Sequence, residues 1–152
     1  MTASVRLQRG KIKLRPVTTA DAVDLLRWKN DPETRRNSIV TQDEIKLEDH
    51  LIWLRRTLDD STIQFFIVEL EGKPIGDLRL NPLDTGETEI SIRLDVSTRG
   101  LGIATQVIGM VRGLLLAKIV SHNVASMRSF IANGFRPEAF IEGLVSYYLF
   151  KK

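Results

Sequence analysis

A short glycine-containing segment, residues 99–104 (Arg-Gly-Leu-Gly-Ile-Ala), lies between a strand pattern and a helix pattern. Before it, Ile90, Ile92 and Leu94 alternate as one buried face of a strand requires, and after it apolar residues recur at helical spacing. Glycines at such a junction let the backbone approach a ligand, and the first N–H groups of a helix have no partner within it. Because these amides and the helix dipole attract anions, the segment predicts a site for a phosphorylated ligand.

Two well-known phosphate-binding motifs do not fit this segment. The chain contains no Gly-x-x-x-x-Gly-Lys-Ser/Thr string, which a P-loop needs. A dinucleotide-binding fingerprint would have Gly or Ala where Thr105 stands, and an acidic residue about 20 positions further on, where 119–123 offer none. An ordinary strand-to-helix turn with two glycines stays open as the alternative.

A second segment, residues 123–135, has the signals of a complete helix. Asn123 is a good N-cap, an apolar stripe that includes Phe130 follows, and Asn133-Gly134 ends the helix before a new strand.

Together these two segments resemble the GNAT acetyltransferase superfamily. Its acetyl-CoA motif reads Arg/Gln-x-x-Gly-x-Gly/Ala, which Arg99, Gly102 and Ala104 match, and its next helix begins with Asn, carries Ala-Ser and ends in Gly-Phe. The pair in this order is much more specific than either half. The resemblance implies acetyl-CoA as co-substrate, with its pantetheine arm along the central strand and its pyrophosphate on the main chain of the glycine turn. The implied cofactor-binding residues are Ile92, Leu94, Arg99, Gly100, Leu101, Gly102, Ile103, Ala104, Thr105, Asn123, Ser126 and Phe130.

The same resemblance implies direct acetyl transfer to an amine. Family members often use a carboxylate of the central strand as general base, which here would be Glu89; a solvated strand start, or a water as base, stays open. Many members have a Tyr seven residues after the helix-opening Asn, where this chain has Phe130. Phenylalanine donates no proton, so CoA leaves as thiolate or another donor such as Tyr147 or Tyr148 serves.

The N-terminal half resembles the branch of the superfamily that acetylates nucleotide-linked amino sugars. The residues that carry this likeness include 14–16 (Leu-Arg-Pro), 28–35 and 50–53. The implied acceptor-site residues are Trp28, Arg35, His50, Trp53 and Arg79. Core packing of the tryptophans and a structural role for the histidine stay open. A nearby branch that acetylates protein N-termini shares the pattern, and a non-catalytic acyl-CoA-binding domain is the third alternative.

The elements that must position these residues follow from periodicity and the resemblance. We predict strands at 12–17, 63–70, 74–80, 87–94 and 114–120, and helices at 19–28, 42–58 and 103–112, the last capped by Gly113. The implied architecture is an α/β (α+β) GNAT fold in one domain spanning 1–152. Its central sheet is mixed and mostly antiparallel, with about six to seven strands flanked by about four helices.

Composition excludes several kinds of protein and of chemistry. The 152 residues are 43% hydrophobic and include no cysteine, which excludes disulfides and thiol catalysis, and two isolated histidines do not suggest a metal site. A net charge of +3 with scattered basic residues argues against a nucleic-acid partner. No apolar stretch approaches the length of a membrane span, and no signal peptide is recognised. We therefore expect a cytoplasmic protein. The resemblance implies a small-molecule amine as acceptor, and a homodimer stays open.

Overall fold

The computed structural model describes residues 3–40 and 43–152. The helices within these ranges are α1 (Ala22–Asn30), α2 (Pro32–Arg36), α3 (Leu47–Asp59), α4 (Ile103–Ile108) and α5 (Val124–Ala132). The strands are β1 (Ser4–Val5), β2 (Gln8–Arg9), β3 (Ile12–Pro16), β4 (Gln64–Leu70), β5 (Lys73–Pro82), β6 (Thr88–Leu94), β7 (Val111–Arg112), β8 (Leu115–Val120), β9 (Arg136–Ile141) and β10 (Tyr147–Lys151).

The described strands form one large sheet and one small one. The large sheet has eight strands in the order β2-β3-β4-β5-β6-β8-β10-β9, while β1 pairs with β7 separately. All neighbours in the large sheet are antiparallel except β6 and β8, which run parallel. The predicted mixed, mostly antiparallel sheet is confirmed, and it is one strand wider than the upper expectation.

Apolar side chains on both faces of the sheet create two cores. β4 shows why: Phe66 and Val68 point into the larger core, which α4 and α5 cover, whereas Phe65 and Ile67 point into the smaller core. Leu25 of α1 is among the residues of α1 and α3 that complete the smaller core. A strand with apolar residues at consecutive positions is therefore buried on both faces, as alternation requires.

The helix predicted to reach residue 112 ends earlier than expected. α4 stops at Ile108, and Gly109 is its C-cap, donating its backbone N–H to the carbonyl of Thr105. The side-chain amide of Asn133, the C-cap of α5, donates to the same carbonyl at 2.9 Å. A Cβ at position 109 would lie 3.0 Å from the Asn133 Oδ1 atom, so this position favours glycine.

The predicted cap at Gly113 was wrong because the residues before it form a strand. Val111–Arg112 form β7 and pair with Ser4–Val5 near the N-terminus, which takes these residues out of the helix. Gly113 instead has a φ of +139° and lies against Ala3.

The other helices also differ from their predicted bounds. α3 begins at Leu47, later than the predicted start at residue 42, which lies outside the described residues. Ile45 is held outside the helix because its backbone N–H and C=O both bond to the side chain of Asn30. The predicted first helix starts with a 3-10 turn at Thr19–Asp21 and continues through α1. Among the described residues, no helix combines the length and apolar character needed to cross a membrane.

Candidate functional site

The parallel neighbours β6 and β8 diverge along their length. In the described chain they pair at Thr88 with Leu115 and at Glu89 with Leu116, and at no later position. A cavity of about 1160 Å³ opens where they separate, lined by residues 90–94 of β6 and 117–120 of β8. The backbone groups of β6 that face this gap lack a strand partner, so they are available to a ligand that lies along the strand.

The glycine turn predicted from sequence forms one end of this cavity. Gly100 and Gly102 have φ values of +79° and +74°, in the left-handed region that favours glycine, and Gly102 is the N-cap of α4. A Cβ at either position would have no atom within 4 Å, so the space in front of the turn is open. Ile103 and Ala104 also line the cavity, which places the first amides of α4 beside it.

The start of α5 borders the same part of the cavity. Asn123 is the predicted N-cap: its Oδ1 accepts the backbone N–H of Ser126 at 3.3 Å. Ser126 and Phe130 line the cavity, and Phe130 is buried with its ring centroid 4.9 Å from that of Phe135. The position where family members often have a Tyr is therefore filled by a fixed apolar ring.

The Arg99 side chain points toward α2. Its Nη2 donates to Asp31 at 2.7 Å and its Nη1 to Glu33 at 2.8 Å, and Nη2 also lies 3.1 Å from the Thr34 hydroxyl. Arg99 lines the cavity, yet its charge is paired with two carboxylates. The first residue of the motif thus connects the glycine turn to the start of α2.

Glu89 lies at the point where β6 and β8 separate. It is the last residue of β6 paired with β8, it lines the cavity, and its carboxylate is 3.9 Å from the Lys118 amine. Glu87, two positions earlier, pairs with Lys151 at 3.2 Å.

The other end of the cavity contains three of the predicted acceptor residues, His50, Trp53 and Arg79. The His50 and Trp53 rings stack with centroids 5.9 Å apart, and the Arg79 guanidinium lies 5.3 Å from the Trp53 centroid. His50 is 1% exposed and its Nε2–H donates to the Ala22 carbonyl at 3.0 Å. Burial lowers the pKa of His50 to about 4, and Lys29 adds to this effect, so the ring is neutral at pH 7.

Sequence reasoning missed Lys29, which lies at the centre of this group. Its amine is 2.9 Å from the Trp53 ring centroid and 3.5 Å from the Nδ1 of His50, and the residue is 8% exposed. Burial, followed by the nearby charge of Arg93, lowers its pKa to about 6. Lys29 lies on α1 directly after the buried Trp28, and a lysine at that point carries no sequence signal of burial.

Four predicted site residues do not line the cavity. Trp28 is 2% exposed in the smaller core, and its Nε1–H donates to Asp95. The Arg35 Nε donates to the Asn30 carbonyl, Leu101 is exposed, and the Thr105 carbonyl accepts the Asn133 amide. For Trp28 the core role, left open by the sequence, is the observed one.

No group of three or more His, Asp or Glu residues in the described chain could hold a metal ion. The expectation that no metal takes part stays a prediction.

Comparisons with known proteins identify the family and support the fold. A model of the acetyltransferase (GNAT) domain matches residues 11–136. No curated protein matches the chain in sequence.

Solved structures share the fold at low sequence identity. RimL, a ribosomal-protein alpha-N-acetyltransferase in complex with coenzyme A, is 16% identical over 97% of this chain and 96% of its own, with a TM-score of 0.82. Ribosomal-protein-alanine N-acetyltransferase from Brucella melitensis is 21% identical over 91% of this chain and 98% of its own, with a TM-score of 0.74. AAC(6')-Ib in complex with ribostamycin and coenzyme A is 17% identical over 93% of both chains, with a TM-score of 0.77.

Proposed function

Since this chain belongs to the acetyltransferase (GNAT) domain family and is an acyl-CoA-dependent N-acetyltransferase, we propose that its acceptor is the primary amine of a small molecule such as a nucleotide-linked amino sugar. The observation that supports this proposal is one continuous cavity with two chemically different ends. The glycine turn lies at one end, a group of basic and aromatic side chains lies at the other, and Glu89 lies where the two strands separate.

We assign the glycine-turn end of the cavity to acetyl-CoA, which supplies the acetyl thioester. The residues fit this ligand in two respects: the unpaired edge of β6 at Ile92 and Leu94 offers backbone hydrogen bonds, and the open turn at Gly100 and Gly102 offers amides for a pyrophosphate. Asn123 and Ser126 border the same space from α5.

In this proposal Glu89 is the general base. Its carboxylate accepts a proton from the acceptor's ammonium group, and the free amine then attacks the thioester carbon as the C–S bond breaks. Phe130 donates no proton, so the sulfur leaves as thiolate, which a thiol of pKa near 8.5 tolerates. Tyr148 packs against Phe140 and Phe150, which favours a core role for it over that of a proton donor.

The pKa of the amine also favours a sugar amine over a lysine side chain as the acceptor. A lysine amine with a pKa of about 10.4 costs roughly 4.6 kcal/mol to present as free amine at pH 7, whereas an amine near 7.8 costs about 1 kcal/mol. A sugar amine, flanked by electron-withdrawing oxygens, resembles the second case, so a single partly exposed carboxylate is sufficient as its base.

Protein N-terminal acetylation is the second candidate function. Two proteins of similar fold act on ribosomal proteins, while AAC(6')-Ib binds the small molecule ribostamycin. An N-terminal amine is as weakly basic as a sugar amine, so amine chemistry does not separate the two. Membership in an enzyme family favours turnover over a non-catalytic acyl-CoA-binding role.

Calorimetric titration with acetyl-CoA, followed by CoA-thiol release in the same sample, tests the proposal. The acceptor panel contains amino sugars, nucleotide-linked amino sugars and peptides with free N-termini. Release with the sugars alone supports the proposal, and release with the peptides alone selects the second candidate. Absence of acetyl-CoA binding contradicts both. The single domain over 1–152, the cytoplasmic location and the homodimer stay predictions.

A further inference from the structure

Three basic side chains from three different elements line the acceptor end of the cavity. They are Lys29 of α1, Arg79 of β5 and Arg93 of β6. Arg79 is paired in register with Ser91, and Asp77 with Arg93, so the two arginines occupy adjacent rows on the same face of the sheet. The three basic side chains therefore converge because of tertiary structure, although they are far apart in sequence.

Nearby carboxylates only partly balance these charges. Asp77 is completely buried, its Oδ2 lies 3.5 Å from the Arg93 Nε, and neither of its carboxylate oxygens has a hydrogen-bond partner among the described residues. The Glu89 carboxylate lies 3.9 Å from the Lys118 amine. No carboxylate oxygen of the described residues lies within 4.0 Å of the Lys29 amine or the Arg79 guanidinium.

The consequence is that the charged forms of Lys29 and Arg79 are disfavoured. Burial lowers the pKa of Arg79, and the charge of Arg93 lowers it further, while Asp77 and Glu89 oppose this effect. The pKa of Lys29 is likewise lowered by burial and by the charges of Arg93 and Arg79, while Asp77 raises it. The neighbouring His50 is neutral. An anion placed among these groups would favour the protonated form of Lys29, offset the repulsion between the two arginines and supply the missing hydrogen-bond acceptors.

We propose that the acceptor carries an anionic group, a phosphate or a carboxylate, that binds between Lys29, Arg79 and Arg93 beside the ring of Trp53. This inference rests on the proposed function and narrows its substrate class to anionic amines. The indole fixes the position of the basic groups, since both the Lys29 amine and the Arg79 guanidinium lie over it. The glycine turn at the other end of the cavity is left for the phosphates of the co-substrate.

The test compares two sugars that differ in one phosphate, glucosamine and glucosamine 1-phosphate. Each is titrated into protein saturated with CoA, so that the co-substrate's phosphate site is filled and no turnover occurs. We expect the phosphate to strengthen binding by about ten-fold or more, and the Arg79→Gln substitution to abolish this preference. Arg79→Lys keeps the positive charge and should retain part of the preference for the phosphorylated sugar. Arg55→Gln, an exposed arginine of α3, is the matched control and should leave the preference intact.

Several outcomes overturn the inference. These are equal affinity for the two sugars, a preference that survives Arg79→Gln, and failure of both sugars to bind. A loss of CoA affinity in Arg79→Gln would instead assign the arginine to the co-substrate, which also contradicts the inference. Failure of the proposed function is distinguishable, because it would appear as absent acetyl-CoA binding or absent thiol release with every amine of the panel. Release that is equal for neutral and anionic amines would contradict this inference alone.

Discussion

The guanidinium of Arg99 donates to the carboxylate of Asp31 at 2.7 Å, across 68 positions of sequence. This contact joins the glycine turn to the N-terminus of α2, where the same carboxylate accepts the backbone N–H of Thr34. The Arg99 side chain therefore supports the turn, and the main chain of the turn is left to face the cavity.

Substituting Arg99 tests this supporting role. We expect Arg99→Gln to lower the free energy of unfolding by about 1 kcal/mol, since the pair is partly exposed, and to weaken acetyl-CoA binding by a few-fold. Asp31→Asn keeps a good N-cap and removes the charge. Urea denaturation of both single variants and of the double variant measures the coupling. If the two substitutions change the free energy of unfolding additively, the Arg99–Asp31 ion pair does not hold the glycine turn to α2.

Replacing Gly102 should separate ligand binding from stability. Gly102→Ala forces a side chain into the left-handed region and should cost about 1 kcal/mol of stability. Gly72→Ala is the matched control, because Gly72 has a φ of +82° in the β4–β5 turn and open space around it. Thermal denaturation should show similar losses, whereas calorimetry should show weaker acetyl-CoA binding for Gly102→Ala alone. Equal acetyl-CoA affinity in the two variants would remove the turn from the ligand site.

The role of Glu89 as base predicts a loss of rate without a loss of co-substrate binding. Glu89→Gln should reduce kcat by about 10²- to 10⁴-fold, because a glutamine accepts no proton. Glu87→Gln, which removes the carboxylate paired with Lys151, should leave kcat close to that of the original protein. Steady-state kinetics with the best acceptor measures the loss of kcat, and titration with acetyl-CoA checks that co-substrate binding is unchanged. An unchanged rate in Glu89→Gln would leave water as the base.

The buried amine of Lys29 should make the stability of the protein rise with pH. Its pKa falls from 10.5 to about 6 on folding, so the unfolded chain binds more protons between these values and stability rises with pH across that window. We expect Lys29 to raise the free energy of unfolding by up to about 1.4 kcal/mol for each pH unit within this window. Lys29→Met should remove the contribution and stabilise the protein most at pH 6 and below. Lys73→Met, at an exposed position, is the control.

Denaturant unfolding of these lysine variants at several pH values between 6 and 9 provides the measurement. Parallel curves for Lys29→Met and the original protein would mean that Lys29 is charged in the folded state. Convergence of the two curves as the pH rises is the expected result.

The features that sequence alone determined are local ones. The glycine turn between strand and helix, the cap formed by Asn123 and the apolar alternation along β6 each depend on a few neighbouring residues, and all three are observed. The resemblance of the two motif segments also predicted the family and the mostly antiparallel sheet, because the spacing of those segments reflects one particular order of elements. His50, Trp53 and Arg79, expected from the resemblance at the acceptor site, line the same cavity, and their role in binding the acceptor stays a prediction.

Only the tertiary structure decided the rest. α4 ends at Ile108, where Asn133 at the C-cap of α5 bonds to its last turn and β7 follows. Trp28 is buried in the smaller core, and its indole donates to Asp95 just after β6. The low pKa of Lys29 depends on its burial beside Trp53 of α3 and on the charges of two arginines of the sheet. Each of these outcomes is set by desolvation or by a hydrogen bond between residues far apart in sequence, and such energies depend on distances that no local pattern contains.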